Sequence, residues 1–212
     1  MRTLANTAIL IALALGPATA AADTMEMSKP LSGSAKLVET DAALRGLWVD
    51  HAFWVRDVVL ATFAKNPAEA QAAEAQVVAN AHALADSIEP FYGQAASDQL
   101  FALLAGHYGA VKAYLTATVA KNKQAEDAAT EDMMTNAGKI ADFLSAANPN
   151  LPKDAVLGLL QAHGGHHITQ IQDLAGRRYA EEAKNWIDMK QHMFVIADAL
   201  TGAIAKQFPE KF

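Results

Sequence analysis

The sequence predicts an all-α fold, a six-helix bundle built from three tandem helical hairpins. From Thr40 onward the chain is rich in Ala, Leu, Glu, Gln, Lys and Met, which favour helices. Its apolar residues recur at helical spacing and do not alternate as they would in half-buried strands. A set of aligned residues also recurs every 56 positions, since His51, His107 and His163 are separated by that interval twice. A repeat of this length indicates one supersecondary unit used three times.

Composition restricts the kinds of function that the chain can have. The 212 residues include 52% hydrophobic residues, 17 basic and 23 acidic residues, and a formal net charge of −6. An apolar, acidic chain of this kind is neither disordered nor, by its overall charge, a nucleic-acid binder. The absence of cysteine excludes disulfides, thiolate metal sites, iron–sulfur clusters and a cysteine nucleophile. A metal site must therefore use histidine, carboxylate, amide or methionine ligands.

The first twenty residues have the features of a Sec signal peptide. Arg2 precedes an apolar run over 8–15, and the small residues Ala18, Thr19 and Ala20 follow a Gly-Pro break. The run is too short to span a bilayer. We therefore expect a signal peptide over 1–20 cleaved near Ala20, a flexible mature N-terminus over 21–39, and export to the periplasm or secretion with no membrane span after cleavage.

The helices of the remaining chain follow from start and stop signals taken in order. Asn66 and Pro67 combine an N-cap with proline at the first helical position, which starts the second helix. Pro-Phe-Tyr-Gly at 90–93 and Asn-Pro-Asn-Leu-Pro at 148–152 separate successive pairs. The six predicted helices span 41–64, 67–89, 97–121, 124–146, 153–176 and 179–207. They form one helical domain over 40–212, with repeats at 40–95, 96–151 and 152–207.

The repeat also predicts which residues face each other. Residues equidistant from the turn of an antiparallel hairpin lie at the same level, so His51 lies opposite Asn80 and His107 opposite Asn136. In the third hairpin the corresponding pair is His163 and His192. The predicted result is a polar layer in the middle of a bundle with approximate threefold pseudo-symmetry. The repeat extends to an acidic column, Asp86, Asp142 and Asp198, which indicates either contacts between hairpins or a solvated face.

The third hairpin departs from the repeat toward metal-ligating residues. His192 replaces asparagine, and His167 stands where the other copies have valine. His163 and His167 are four residues apart on one helix, and Asp188 and His192 are four apart on the facing helix. Two facing helices that each present such a pair are a common way for bundles to hold first-row metals.

Two arrangements of a metal site remain open. In the convergent one, His51, His107 and His163, with His192, bind one ion, while Asn80 and Asn136 orient the rings. In the local one, the ligands belong to the third hairpin alone: His163, His167, Asp188 and His192. Either suits zinc, copper, nickel or iron. Haem is a weaker alternative, because the chain has no Cys-x-x-Cys-His attachment motif.

These residues favour an exported, non-enzymatic protein of periplasmic metal handling. One alternative is a metal-dependent enzyme, a hydrolase or a dimetal oxidoreductase. The other is a structural or partner-binding module in which His–Asn pairs fix the register of the hairpins, as buried Asn does in coiled coils. No Gly-rich phosphate loop and no metalloprotease or hydrolase motif occurs in the chain.

Several segments resemble an uncharacterised family of small bacterial helical proteins. They are Leu-Trp-Val-Asp-His at 47–51 with Trp54 and Arg56, Pro-Phe-Tyr-Gly at 90–93, Phe-Leu-Ser-Ala-Ala-Asn-Pro at 143–149, and the final Gln-Phe-Pro-Glu-Lys-Phe at 207–212. The similarity spans nearly all of the predicted mature chain. It supports the element boundaries and implies no activity.

Overall fold

The computed structural model describes residues 29–212, which are all-helical with no strand. The predicted signal peptide and the start of the predicted flexible segment lie outside the described residues. Six long helices and one short helix follow one another, and a 3-10 helix over Pro209–Lys211 follows the last of them. Their bounds are α1 Ala35–Phe63, α2 Pro67–Asp86, α3 Glu89–Tyr92, α4 Gln94–Val119, α5 Lys123–Ala147, α6 Lys153–Ala175 and α7 Tyr179–Gln207.

Helix α1 begins at Ala35, six residues before the predicted start at 41. Ser34 caps the helix, because its hydroxyl accepts a hydrogen bond of 3.1 Å from the backbone N–H of Leu37. The buried carboxylate of Asp41 also accepts from the backbone N–H of Leu31 at 3.2 Å. The last part of the segment predicted to be flexible, residues 35–39, is therefore helical.

The Pro-Phe-Tyr-Gly segment is more structured than the predicted break. Helix α2 ends at Asp86, and the short α3 ends at Tyr92; Gly93 follows it with a φ of 83°, which suits glycine. The Tyr92 hydroxyl donates to Gln207 at 2.8 Å and accepts from the side-chain amide of Asn148 at 2.9 Å. This tyrosine therefore joins three distant parts of the chain at one end of the molecule.

The two helices of each long pair are joined by a tight turn with the same backbone conformation. Lys65, Lys121 and Arg177 have φ values of 58°, 54° and 57°, and they are the non-glycine residues with positive φ among residues 29–212. Asn66 and Asn122 follow the first two and cap the next helix, whereas the third turn continues with Arg178. Equivalent turns therefore recur at the 56-residue interval.

Helices pack within and between these pairs. Helix α1 packs on α2, α4 on α5 and α6 on α7, while α2–α4, α5–α6 and α1–α7 contacts join the pairs. The acidic column lies at these second contacts. Asp86 accepts from Ser97, Asp142 pairs with Lys153, and Asp198 forms a two-pronged ion pair with Arg45 at 2.6 Å. Each aspartate therefore makes a contact between hairpins, while Asp86 and Asp142 are also exposed to solvent.

The core is divided along its length by a histidine layer. Trp48 and Leu104 belong to one apolar cluster, while Val55 and Val111, two turns further along the same helices, belong to another. His51 and His107 lie between them in the chain. Within residues 29–212, no helix is both long enough and apolar enough to cross a membrane.

Candidate metal centre

Four histidines meet in the middle of the molecule. His51 lies on α1, His107 on α4, and His163 and His167 on α6, so the first helix of each pair contributes. Their exposed fractions are 3%, 5%, 1% and 0% in that order. Each lies on the apolar stripe of its helix, because the spacing of Leu, Val and Trp around it turns that face inward.

The imidazoles are close enough to share one ion. One candidate ligand nitrogen from each ring lies within 4.8 Å of all the others. The six ring pairs have centroid separations from 4.5 to 6.1 Å. In a tetrahedral zinc site with bonds near 2.0 Å, ligand nitrogens are about 3.3 Å apart. The Nε2 atoms of His163 and His167 are already 3.2 Å apart, so the other rings need only small inward movements.

Burial keeps the four imidazoles neutral. It lowers the pKa of His51 from 6.5 to about 3, with a smaller effect from His107, and lowers the pKa of His107 to about 4. The pKa values of His163 and His167 are lowered well below the ordinary value, first by burial and then by neighbouring histidines. A neutral imidazole keeps the lone pair that a metal ion requires.

Each of these rings has a buried nitrogen without a hydrogen-bond partner among the described residues. The atoms are His51 Nδ1, His107 Nε2, His163 Nδ1 and His167 Nδ1. A buried polar atom left unpaired costs about 1–3 kcal/mol. An ion bound at His51 Nδ1 and His107 Nε2 would offset this cost for those two rings. The Nδ1 atoms of His163 and His167 would remain unpaired if these rings bound the ion through Nε2.

The asparagines opposite the histidines bind backbone rather than imidazole. Asn80 donates to the carbonyl of Leu47 at 2.9 Å, and Asn136 donates to that of Leu103 at 3.1 Å. Each leucine precedes its histidine by four residues, so its carbonyl lies on the helical turn that carries the histidine. The expected hydrogen bonds between His and Asn side chains do not form, because the side-chain amides donate to main-chain carbonyls instead. Asn80 and Asn136 thus hold the turns from which His51 and His107 project.

His192 and Asp188 lie outside the four-histidine group. His192 occupies the asparagine position of the third pair, and its Nε2 contacts the carbonyl of Leu159 at 2.8 Å, as the asparagines contact theirs. Asp188 is half-buried and does not join the group either. The observed set combines the three equivalent histidines of the convergent arrangement with His167 from the local one. In place of His192, His167 is the fourth member, because it follows His163 by one turn on the same inward face.

Two glycines allow close approach beside the site, which sequence reasoning had not identified. A Cβ at Gly164 would lie 2.8 Å from the sulfur of Met133, and one at Gly106 would lie 2.8 Å from the side-chain nitrogen of Asn136. Each glycine is next to a site histidine in the chain. The only sequence signal was the position of these glycines within apolar helices, where glycine is unfavourable unless packing requires it.

The donor set consists of four neutral nitrogens without a carboxylate. It suits zinc, copper, nickel or iron and is a poor match for magnesium and calcium, which prefer oxygen. The rings lie directly against each other, so no slot for a flat porphyrin exists between them, and the geometry disfavours haem. A comparison of the chain with protein-family models, with curated proteins and with solved structures finds no match.

Proposed function

We propose that this protein binds one transition metal ion through His51, His107, His163 and His167, and that it serves in metal handling outside the cytoplasm. The observation that carries the proposal is the convergence of four buried, neutral imidazoles whose ligand nitrogens lie within 4.8 Å of one another. Convergence of this kind provides all the ligands of a tetrahedral site from the protein alone.

The repeat supports a single ion at the centre of three equivalent hairpins. His51, His107 and His163 occupy the same position in each copy, and turns of the same backbone conformation close the three pairs. Residues related by a threefold axis lie at equal distances from it, so they meet when they point inward. His167 adds a fourth ligand that breaks the symmetry. Three hairpins around a pseudo-threefold axis is the arrangement that we propose for the domain.

A binding function is favoured over catalysis by the number and burial of the ligands. Catalytic zinc sites hold the ion with three protein ligands and leave a position for water or substrate. Four imidazoles fill a tetrahedral shell, and all four are buried here. The bound ion therefore has no open coordination position for a substrate, as is typical of metal carriers and metal-storage proteins. The predicted signal peptide supports a periplasmic or secreted location for this role.

Metal binding should raise the thermal stability of the protein. An ion that binds only the folded state at 100 times its dissociation constant contributes about 2.7 kcal/mol. For a domain of this size we expect an increase in Tm of about 5–10 °C. Differential scanning calorimetry of metal-free protein with added Zn²⁺, Cu²⁺, Ni²⁺ or Fe²⁺ measures it, and Mg²⁺ at equal concentration is the matched control.

The change in Tm distinguishes metal binding from a purely structural role of the histidine layer. If the histidine layer only stabilised the fold, neither chelator nor any of these ions would change the Tm. An equal shift with Mg²⁺ would also contradict the proposal, because oxygen-preferring ions have no suitable ligands in the four-histidine group.

A further inference from the structure

A second pair of histidines lies at the edge of the same layer, on α6 and α7. His166 and His192 have ring centroids 5.4 Å apart and ring planes inclined at 45°. Neither ring belongs to the buried group, although His166 directly precedes His167 in the chain. The spacing in the sequence predicted that His192 belongs to the central site and indicated no role for His166.

Hydrogen bonds fix which nitrogen of each ring carries the proton. His166 Nδ1 lies 2.8 Å from the side-chain oxygen of Asn185, whose amide nitrogen donates to the His166 carbonyl at 3.0 Å. That second bond orients the amide, so His166 Nδ1 is the donor. His192 Nε2 faces the carbonyl of Leu159, which can only accept, and is therefore also a donor. His166 Nε2 and His192 Nδ1 are left with free lone pairs.

The two side chains differ in exposure. His166 is half-buried, whereas His192 is buried with 8% of its surface exposed. An imidazole that donates one N–H to a carbonyl or amide oxygen and presents its other nitrogen is the usual form of a metal-ligating histidine. Both rings of the pair have this form before any ion is present.

The spacing of the pair matches two rings on one ion. With metal–nitrogen bonds of about 2.0 Å and a tetrahedral angle, two imidazole centroids lie about 5 Å apart. The observed 5.4 Å is close to this separation. Asp188 lies one turn before His192 on α7, but it is not close enough to both rings to join them as a third ligand.

We propose that His166 and His192 form a second site, at the edge of the histidine layer, for a divalent transition metal ion such as Zn²⁺, Cu²⁺ or Ni²⁺. The two free ring nitrogens bind the ion, and water completes its coordination. These two histidines are different from the four of the buried group. Fewer protein ligands make this site the weaker of the two.

The repeat itself supplies a conservative variant for testing this site. Asparagine occupies the position of His192 in the other two hairpins, where it donates to the equivalent carbonyl. His192→Asn therefore keeps the hydrogen bond to Leu159 and removes the imidazole nitrogen. His166→Ala is a second variant that removes the other ligand. His82→Gln is the matched control, because it removes an exposed histidine that stacks on Phe101 away from the pair.

Isothermal titration of the purified metal-free protein with Zn²⁺ tests the proposal. We expect two classes of site, a tight one and a weaker one, in the wild type and in His82→Gln. His192→Asn and His166→Ala should each lose the weaker class and keep the tight class within about twofold, whereas His163→Ala should show the opposite pattern. A weaker class that persists in both variants, or is absent from the wild type, would overturn the second site. If the wild type shows the weaker class but no tight class, the buried centre is overturned and the second site is retained.

Discussion

Replacement of His163 by alanine should abolish tight binding of the metal ion. His163 is the ring closest to the other three, with centroid separations of 5.4, 5.2 and 4.5 Å to His51, His107 and His167. Changes to residues that merely orient a ligand cost about 10–100-fold in affinity, so loss of a ligand should cost at least about 100-fold. Competition with a chelator of known affinity measures the change.

Two controls determine what that loss means. His82→Ala removes an exposed imidazole and should leave the affinity unchanged. His51→Ala and His107→Ala should each weaken binding as strongly as His163→Ala, because their rings come from different hairpins. Unchanged affinity in both would show that α6 binds the ion alone, and it would contradict a site shared by the three hairpins.

The metal-free protein should lose stability as the pH falls below about 6.5. Burial lowers the pKa of each central histidine, so below 6.5 the unfolded chain binds protons that the folded protein does not. Stability therefore rises with pH in this range and falls with acidification. The decrease starts at the unfolded pKa and continues for His51 and His107 until pH reaches their folded values of about 3 and about 4.

The expected size of this effect is large. Each buried neutral histidine contributes about 1.4 kcal/mol per pH unit below its unfolded pKa, and four together contribute about 5 kcal/mol per unit. Domains have a total stability of about 5–15 kcal/mol, so unfolding between about pH 6 and pH 4 is expected. Urea denaturation at several pH values, with chelator present, measures the slope. His163→Ala should reduce it by about a quarter, and a midpoint that is constant from pH 7 to pH 5 would contradict the account.

The convergence of His51, His107 and His163 was one of two arrangements that the sequence predicted, because it depends on regular geometry. A residue in the middle of an apolar stripe points inward, and a strict 56-residue interval places three such residues at equivalent positions. The sequence did not decide between this arrangement and a local site within the third hairpin.

The identity of the fourth histidine could not be predicted in the same way. His167 and His192 both lie on inward faces, and the spacing alone favours neither. The choice depends on a backbone acceptor, the carbonyl of Leu159, which binds the His192 ring and keeps it out of the group. A main-chain carbonyl is present at every residue, so the sequence does not indicate which carbonyl will accept a hydrogen bond from a side chain.

The partners in the contacts between hairpins could not be predicted, although the sequence marked the aspartate column as one place for such contacts. Arg56 on α1 forms a two-pronged ion pair with Glu182 on α7 at 2.6 and 2.9 Å, across 126 positions of chain. The Arg45–Asp198 pair joins the same helices further along. Such pairs follow from how the first and last hairpins meet, which depends on the whole arrangement rather than on a local pattern.

X-ray absorption spectroscopy of the protein loaded with one equivalent of Zn²⁺ tests the central claim most directly. The four-histidine centre predicts a first shell of four nitrogens at about 2.0 Å, with the multiple scattering of imidazole rings. His163→Ala, loaded in the same way, should show fewer imidazoles. A wild-type spectrum of oxygen ligands with one imidazole or none, or one with a sulfur ligand, would contradict the four-histidine site.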